Sequence, residues 1–178
     1  MDPRFEHFDQ GGGVSAEPLT SAQWRAAMGC FPSGVTVVTS WDGERPIGST
    51  VSSFCSVSLE PPLLLVCLDL NNPIQRPLEA RGVFGVNILD EEAGHGLARH
   101  FAIDPGDNRF TDLAWDHEPG GAPRLADAPL FVDCVVESAH AAGDHRIIVG
   151  RGLRISHASA ATPLLYHKGA FPKLRHGA

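Results

Sequence analysis

The sequence predicts a mainly β domain of six or seven antiparallel strands with two or three short helices, closing as a barrel. Three observations carry that expectation. Short apolar, β-branched runs recur along the chain, such as Val35 to Trp41 and Leu63 to Leu68. Turn formers punctuate them, as at Asp42-Gly43-Glu44 and Gly143-Asp144. Several neighbouring runs are joined by hairpin-length turns, which makes them antiparallel, and strands so connected usually close as a barrel that leaves no open edge.

Taken in order, residues 1–18 are polar, glycine-rich and without period, and predict a flexible N-terminal arm ahead of one domain over residues 19–174. Thr20-Ser21-Ala22-Gln23 has the capping-box form, opening a short helix through Met28. Val35 to Trp41 predicts a strand, Asp42-Gly43-Glu44 a turn, and Pro46 to Phe54 a second strand with Ile47, Ser49, Val51 and Ser53 on one side. Pro61-Pro62 breaks the chain before Leu63 to Leu68, a continuous apolar run that suits a buried strand.

Asn72-Pro73 predicts a cap followed by proline at the first helical position, in a helix ending at Arg81-Gly82. Val83 to Leu89 predicts a strand, and Asp90 the cap of a helix with Ala93, Leu97 and Phe101 on one face. Residues 104–128 hold many Pro, Gly and Asp residues and predict surface loops. Leu130 to Ser138 and Arg146 to Ser156 predict a long hairpin, with Ile147, Val149, Leu153 and Ile155 sharing one face at period two. Leu164 to His167 is a last short strand.

The composition excludes several classes. A formal charge of −7 argues against a nucleic-acid binder, which needs a basic face. No apolar run approaches the roughly 20 residues that span a bilayer. The start MDPRFEHFDQGGG has neither a basic nor an apolar stretch, so no secretory signal is predicted and the expected location is cytoplasmic. Cys30, Cys55, Cys67 and Cys134 are widely scattered and predict small buried residues in a reducing compartment. His95 and His100, at i, i+5, do not share a helix face, and no metal site is expected.

The chemistry concentrates between the second strand and the buried one. Ser49, Thr50, Ser52, Ser53, Ser56 and Ser58 crowd this segment, and no charged residue occurs from position 46 to 59. A polar solvent face of an ordinary strand is the plain reading. Such a face usually carries charge, however, and these hydroxyls alternate with Phe54, Val57 and Leu59. Hydroxyls and strand-end amides suit a phosphate and a planar hydrogen-bonding ring, which points to a bound flavin.

Gly143-Asp144-His145 sits at the hairpin tip. It is either a turn followed by an incidental histidine or a group that orients a nicotinamide partner. Gly150-Arg151-Gly152 half matches a dinucleotide fingerprint, but it lies inside a strand with no helix following, and we reject it. Hydride transfer from a nicotinamide to a flavin needs a stacked donor and polar groups near the developing charge rather than a nucleophile. The lack of a triad or carboxylate pair is therefore compatible with an enzyme. Arg146 is either a cationic contributor or a surface strand charge.

The run FPSGVTVVT followed by GSTVSSFCSVSLEPPLLLV resembles the flavin reductase-like FMN-binding split-barrel family, the small reductase components of two-component flavin monooxygenases. The likeness continues through GVFGVNIL, Leu97-Ala98, Phe101-Ala102, Gly143-Asp144-His145 and PLLYHKG, over about residues 20–172. The resemblance implies a six-stranded Greek-key split barrel, a homodimer, and transfer of hydride from NADH or NADPH to FMN or FAD for a partner monooxygenase. By position it implies that Thr50, Val51, Ser52 and Ser53 hold the ribityl-phosphate end, and that Ser56, Val57 and Ser58 lie along the ring. Ser33 and Tyr166 would lie near the site, and His145 would contact the nicotinamide. One departure is Ile74, where many relatives carry Ser or Thr; Arg76 is the nearby group able to compensate.

Two alternatives stand beside this reading. One is a flavin-binding or electron-transfer protein on the same barrel without turnover. The other is an enzyme of the pyridoxamine-phosphate oxidase type, which predicts a basic phosphate clamp that residues 46–75, poor in Lys and Arg, do not offer.

Overall fold

The capping box forms as the sequence predicts. Thr20 Oγ1 accepts from the Gln23 N–H at 3.2 Å, Gln23 Oε1 accepts from the Thr20 N–H at 2.9 Å, and helix α1 runs Ser21–Met28. The computed structural model describes residues 17–103, 109–157 and 161–174; residues 1–16 of the expected arm lie outside them. One very short strand and five longer ones come before the second helix or just after it: β1 (Ser33–Gly34), β2 (Thr36–Asp42), β3 (Arg45–Val51), β4 (Phe54–Ser58), β5 (Leu63–Asp69), α2 (Gln75–Arg81) and β6 (Val83–Ile88). The remainder comprises α3 (Gly94–Ile103), β7 (Trp115–Asp116), β8 (Arg124–Leu125), β9 (Leu130–Ala142), β10 (His145–His157) and β11 (Leu165–Tyr166).

The described residues form a mainly β fold around a seven-stranded antiparallel sheet in the order β3-β2-β6-β9-β10-β5-β4. The segment expected as one strand over Pro46 to Phe54 is two strands, β3 and β4, interrupted at Ser52-Ser53. No Gly or Pro marks that break, which is why the pattern alone merges them and counts six strands as readily as seven.

Those two strands are the opposite edges of the sheet. Laid flat at about 4.8 Å per strand, the edges would stand about 29 Å apart. Only Ser52 and Ser53 separate β3 from β4, and three residue steps reach no more than about 11 Å. The sheet therefore rolls until its edges come together at the two serines.

Inside the roll, Val38, Val66, Phe84, Val86, Cys134 and Ile148 pack with Ile74 and Leu78, which belong to α2 and the turn before it. A second core lies between the outer face of β2 and α3, where Val35, Val37, Leu97, Phe101, Phe110 and Leu125 meet. Residues 109–128 are thus not surface loops. They carry the β7–β8 ribbon and cover this second core, because Asn87 Oδ1 accepts from the Leu125 N–H at 2.8 Å and Trp41 Nε1–H donates to Gly121 O at 2.8 Å. Residues 104–108 of that expected loop are outside the described residues.

Both helices after the buried strand begin later than their capping signals predict. The Asn72 carbonyl and side chain serve a turn, accepting from the Gln75 and Ile74 N–H groups, and α2 starts at Gln75. Asp90 Oδ1 likewise accepts from Glu92 and Ala93 N–H before α3 begins at Gly94, which leaves Ala93 exposed.

The face assigned on β10 also differs. Ile148 is the buried residue at 1% exposure, while Leu153 and Ile155 are 46% and 71% exposed. Register shifts at Val149/Gly150 and Gly152/Arg154 fall between Ile147 and Val149 on one side and Leu153 and Ile155 on the other, so strict alternation does not carry from the first pair to the second. Ile147 and Val149 instead share the outer face with Cys67 and Leu65, their partners on β5.

The cysteines are not uniformly buried. Cys30 and Cys55 are exposed, Cys67 is intermediate and Cys134 is buried, with no disulfide. Burial pushes the Cys134 thiol up to about 12, with the Asp133 carboxylate adding to it. Alkylation of the folded protein at pH 8 should therefore label Cys30 and Cys55 and leave Cys134 unreacted until denaturant is added, as mass spectrometry of the labelled peptides would show.

Candidate functional site

Where the rolled sheet's edges meet, a cleft of about 1600 Å³ opens. Its walls combine α1 and the chain after it (Trp24, Arg25, Met28, Phe31, Ser33), the seam Ser52-Ser53, the hairpin tip Asp144-His145, and Tyr166, Lys168 and Gly169. Local pairing explains the assembly. Ser33 on β1 pairs with Tyr166 on β11, and the Lys168 N–H donates to Gly29 O at 3.1 Å, which ties the end of α1 to the same ribbon. His145 pairs with Asp69 on β5, and the Leu70 N–H donates to Asp144 O at 3.0 Å, holding the hairpin tip over the end of β5.

Five of the residues singled out in the sequence thus line one cleft: Ser33, Ser52, Ser53, His145 and Tyr166. The Ser52 hydroxyl is exposed and has no hydrogen-bond partner among the described residues. Ser53 is anchored: its hydroxyl donates to Cys67 O at 2.8 Å, and its carbonyl accepts from the Cys67 N–H at 3.1 Å. His145 Nδ1 lies 2.7 Å from Asp144 Oδ1. That hydrogen bond holds the Asp144 carboxyl below its ordinary range. The contact is therefore present above the unfolded carboxylate's titration and is lost only when pH falls through the lowered folded value. It fixes the ring and leaves Nε2 as its other polar atom.

The other singled-out positions lie elsewhere. Thr50 Oγ1 donates to Ala98 O at 2.7 Å, pinning β3 to α3. Val51 is 5% exposed in the first core, and its carbonyl accepts from Thr36 Oγ1 at 2.8 Å. Ser49 accepts from Asn72 Nδ2 at 2.8 Å. Ser56, Val57 and Ser58 continue along β4, exposed or half-exposed, outside the cleft lining. Arg146 is ion-paired with Glu79, Ile74 is fully buried, and Arg76 is exposed on α2.

Several lining groups carry no signal of their own in the sequence. Trp24, Met28 and Phe31 are 54%, 50% and 78% exposed, and this high exposure of large apolar groups on a cleft wall becomes visible only once α1 is placed. Arg25 and Lys168 escape notice for the same reason. Among the described residues no cluster of His, Cys, Asp and Glu fits a metal ion. No helix there is long and apolar enough to cross a membrane.

Hydroxyls at an uncharged seam, with apolar and aromatic side chains on the other walls, suit a flat conjugated ligand bearing a polar tail. Fold and cleft together define a mainly β protein with an open, hydroxyl-seamed cleft at the join of one rolled antiparallel sheet. The chain belongs to the family described as flavin reductase like domain, whose model matches residues 28–175. It is 36% identical over 160 residues to the reductase subunit HsaB of a flavin-dependent monooxygenase from Rhodococcus jostii, covering 90% of this chain and 81% of that one. It is 38% identical over 160 residues to an NADH-dependent FAD reductase of Streptomyces globisporus, covering 87% and 86%. The solved structure of the Streptomyces globisporus NADH:FAD oxidoreductase SgcE6 superposes with a TM-score of 0.83 at 34% identity, covering 93% of this chain and all of that one. The same enzyme has also been solved with NAD and FAD fragments.

Proposed function

We propose that this chain is an NAD(P)H:flavin oxidoreductase, moving hydride from NADH to FMN or FAD and supplying reduced flavin to a partner monooxygenase. The observation that carries this reading is the convergence of Ser52, Ser53, His145 and Tyr166 on one cleft in a chain of the flavin reductase family. The relatives support it, being named as NADH-dependent FAD reductase and as a monooxygenase reductase subunit.

The residues present fit a flavin. Ser52 offers an unspent hydroxyl, and Trp24, Phe31 and Tyr166 offer apolar surface on the same cleft. When bound, flavin supplies the hydride acceptor. Ser52 and Ser53, with the backbone at Thr50 and Val51, hold its ribityl-phosphate end. Ser56, Val57 and Ser58 border the ring through β4, and Ser33 and Tyr166 flank it. His145, oriented by Asp144, binds and positions the nicotinamide. The uncharged seam leaves hydrogen bonding and packing, rather than ion pairing, to orient the ring.

The domain spans residues 19–174, and its rolled sheet is a closed six-stranded Greek-key split barrel in which β4 supplements the edge. The protein works in the cytoplasm as a homodimer. An outer sheet face with Leu65, Cys67, Ile147 and Val149 side by side supports the dimer, since half-buried apolar residues in register are suited to cover by a second copy.

Purified protein should oxidise NADH, followed at 340 nm, only when FMN or FAD is present. An NADH oxidation rate indifferent to added flavin overturns the reading.

A further inference from the structure

We propose that Arg25 and Lys168 form an anion subsite in the cleft that takes a phosphate group of a bound nucleotide cofactor. The proposal rests on the reading of this cleft as the flavin and nicotinamide site. Both side chains line it. Two backbone hydrogen bonds lead from one residue to the other: the Gly29 N–H donates to Arg25 O at 2.9 Å, and the Lys168 N–H donates to Gly29 O at 3.1 Å.

The pair is set apart by where its charge stands. The chain is acidic, at −7, and Arg45, Arg124, Arg146, Arg151 and Arg154 are each matched with a carboxylate. Arg25 and Lys168, like Arg76, Arg81, Arg99, Arg109 and Lys173, have no carboxylate partner among the described residues, but of these seven only Arg25 and Lys168 line the cleft. Asp144 is the one acid among the cleft-lining residues, and it is engaged by His145. The cleft is therefore a locally cationic place on an anionic protein, which concentrates phosphate-bearing ligands.

Lys168 also occupies a costly position. Its φ is 50°, in the left-handed region that favours glycine, and Gly169 follows at φ 80°. A turn that needed only that backbone would be better served by glycine at both positions. Retaining a long cation there points to use of its side chain. The serine seam supplies hydrogen bonds without charge, so these two residues supply what a phosphate needs beyond them.

The test crosses two variants with ligand pairs in which only one member carries phosphate. Wild type, Arg25→Gln and Lys168→Gln are assayed with NADH against reduced nicotinamide riboside, and with FMN against riboflavin. For the phosphate-bearing member of at least one pair, KM should rise about 5- to 10-fold in each variant, as expected for loss of an exposed charge-assisted contact, with kcat little changed. The phosphate-free member should be unaffected, and Lys168→Arg should restore the wild-type value. Loss confined to NADH assigns the subsite to the nicotinamide dinucleotide, and loss confined to FMN assigns it to the flavin. Equal losses with and without phosphate, or no loss with any ligand, overturn the proposal. Calorimetric binding of FMN against riboflavin and of NAD against nicotinamide riboside needs no turnover, so it separates failure of this subsite from failure of the reductase reading.

Discussion

Replacing His145 with alanine should lower kcat/KM for NADH about 10- to 100-fold, equivalent to roughly 1.4–2.7 kcal/mol of lost transition-state stabilisation, while flavin affinity stays within about twofold. The split follows from placement. His145 stands at the first position of β10, in register with Asp69 and bonded to Asp144, and its side chain remains 43% exposed at the cleft. It supports nothing in either core, so removing it should not disturb the fold. The seam serines belong to a different segment, so flavin contacts should survive. Steady-state kinetics with NADH varied at saturating flavin, beside a flavin titration, checks both halves. Equal losses in the two measurements would assign His145 a structural part.

Gly150→Ala should destabilise the protein by about 1–3 kcal/mol or more, the second large effect expected. A Cβ built at Gly150 would stand 2.3 Å from Cζ and 2.7 Å from Cε1 of Phe84, a ring with no exposure at all. Neither can yield cheaply in a close-packed interior. Shrinking the ring should relieve the clash, so Gly150→Ala in a Phe84→Leu background should cost measurably less than in wild type. Chemical denaturation of the four proteins in the cycle gives the coupling. Strict additivity would mean that the Gly150 site relaxes without Phe84. The same contact explains the Gly150-Arg151-Gly152 run. Its first glycine makes room for a phenyl ring inside the roll and has no part in phosphate binding.

Much of the fold was legible because its signals are local. The capping box at Thr20 and Gln23, the Gly43 and Gly143 turns and the Leu63 to Leu68 run each act within a few residues. What the pattern missed depends on distant contacts. The break at Ser52-Ser53 has no breaker residue, and it exists because a rolled sheet must join its own edges there. Two irregularities in its pairing with β9 interrupt the alternation along β10, and a period-two pattern cannot see a bulge. The segment 109–128 looks like loop by composition, yet Asn87, Thr39 and Trp41 hold its backbone from across the sheet.

The candidate site was legible in the same uneven way. The uncharged hydroxyl run led to the cleft, but its members divide on inspection. Ser49 and Thr50 spend their hydroxyls on Asn72 and on the Ala98 carbonyl, whereas Ser52 keeps its own free. Composition cannot distinguish an alcohol that braces a helix from one that faces a ligand. Arg25, Trp24 and Lys168 were invisible for a related reason: only pairing of β1 with β11 brings the first helix over the seam.

The most direct test of the cleft's role is equilibrium titration of FMN and of FAD fluorescence with wild type and with Ser52→Asp. The account predicts saturable quenching of at least one flavin by wild type. It predicts at least a tenfold weaker response from the variant, because a carboxylate at the seam would face the flavin's own phosphate, with thermal stability unchanged because Ser52 is exposed and unbonded. Absence of binding to either flavin, or a variant that binds as tightly as wild type, would contradict it.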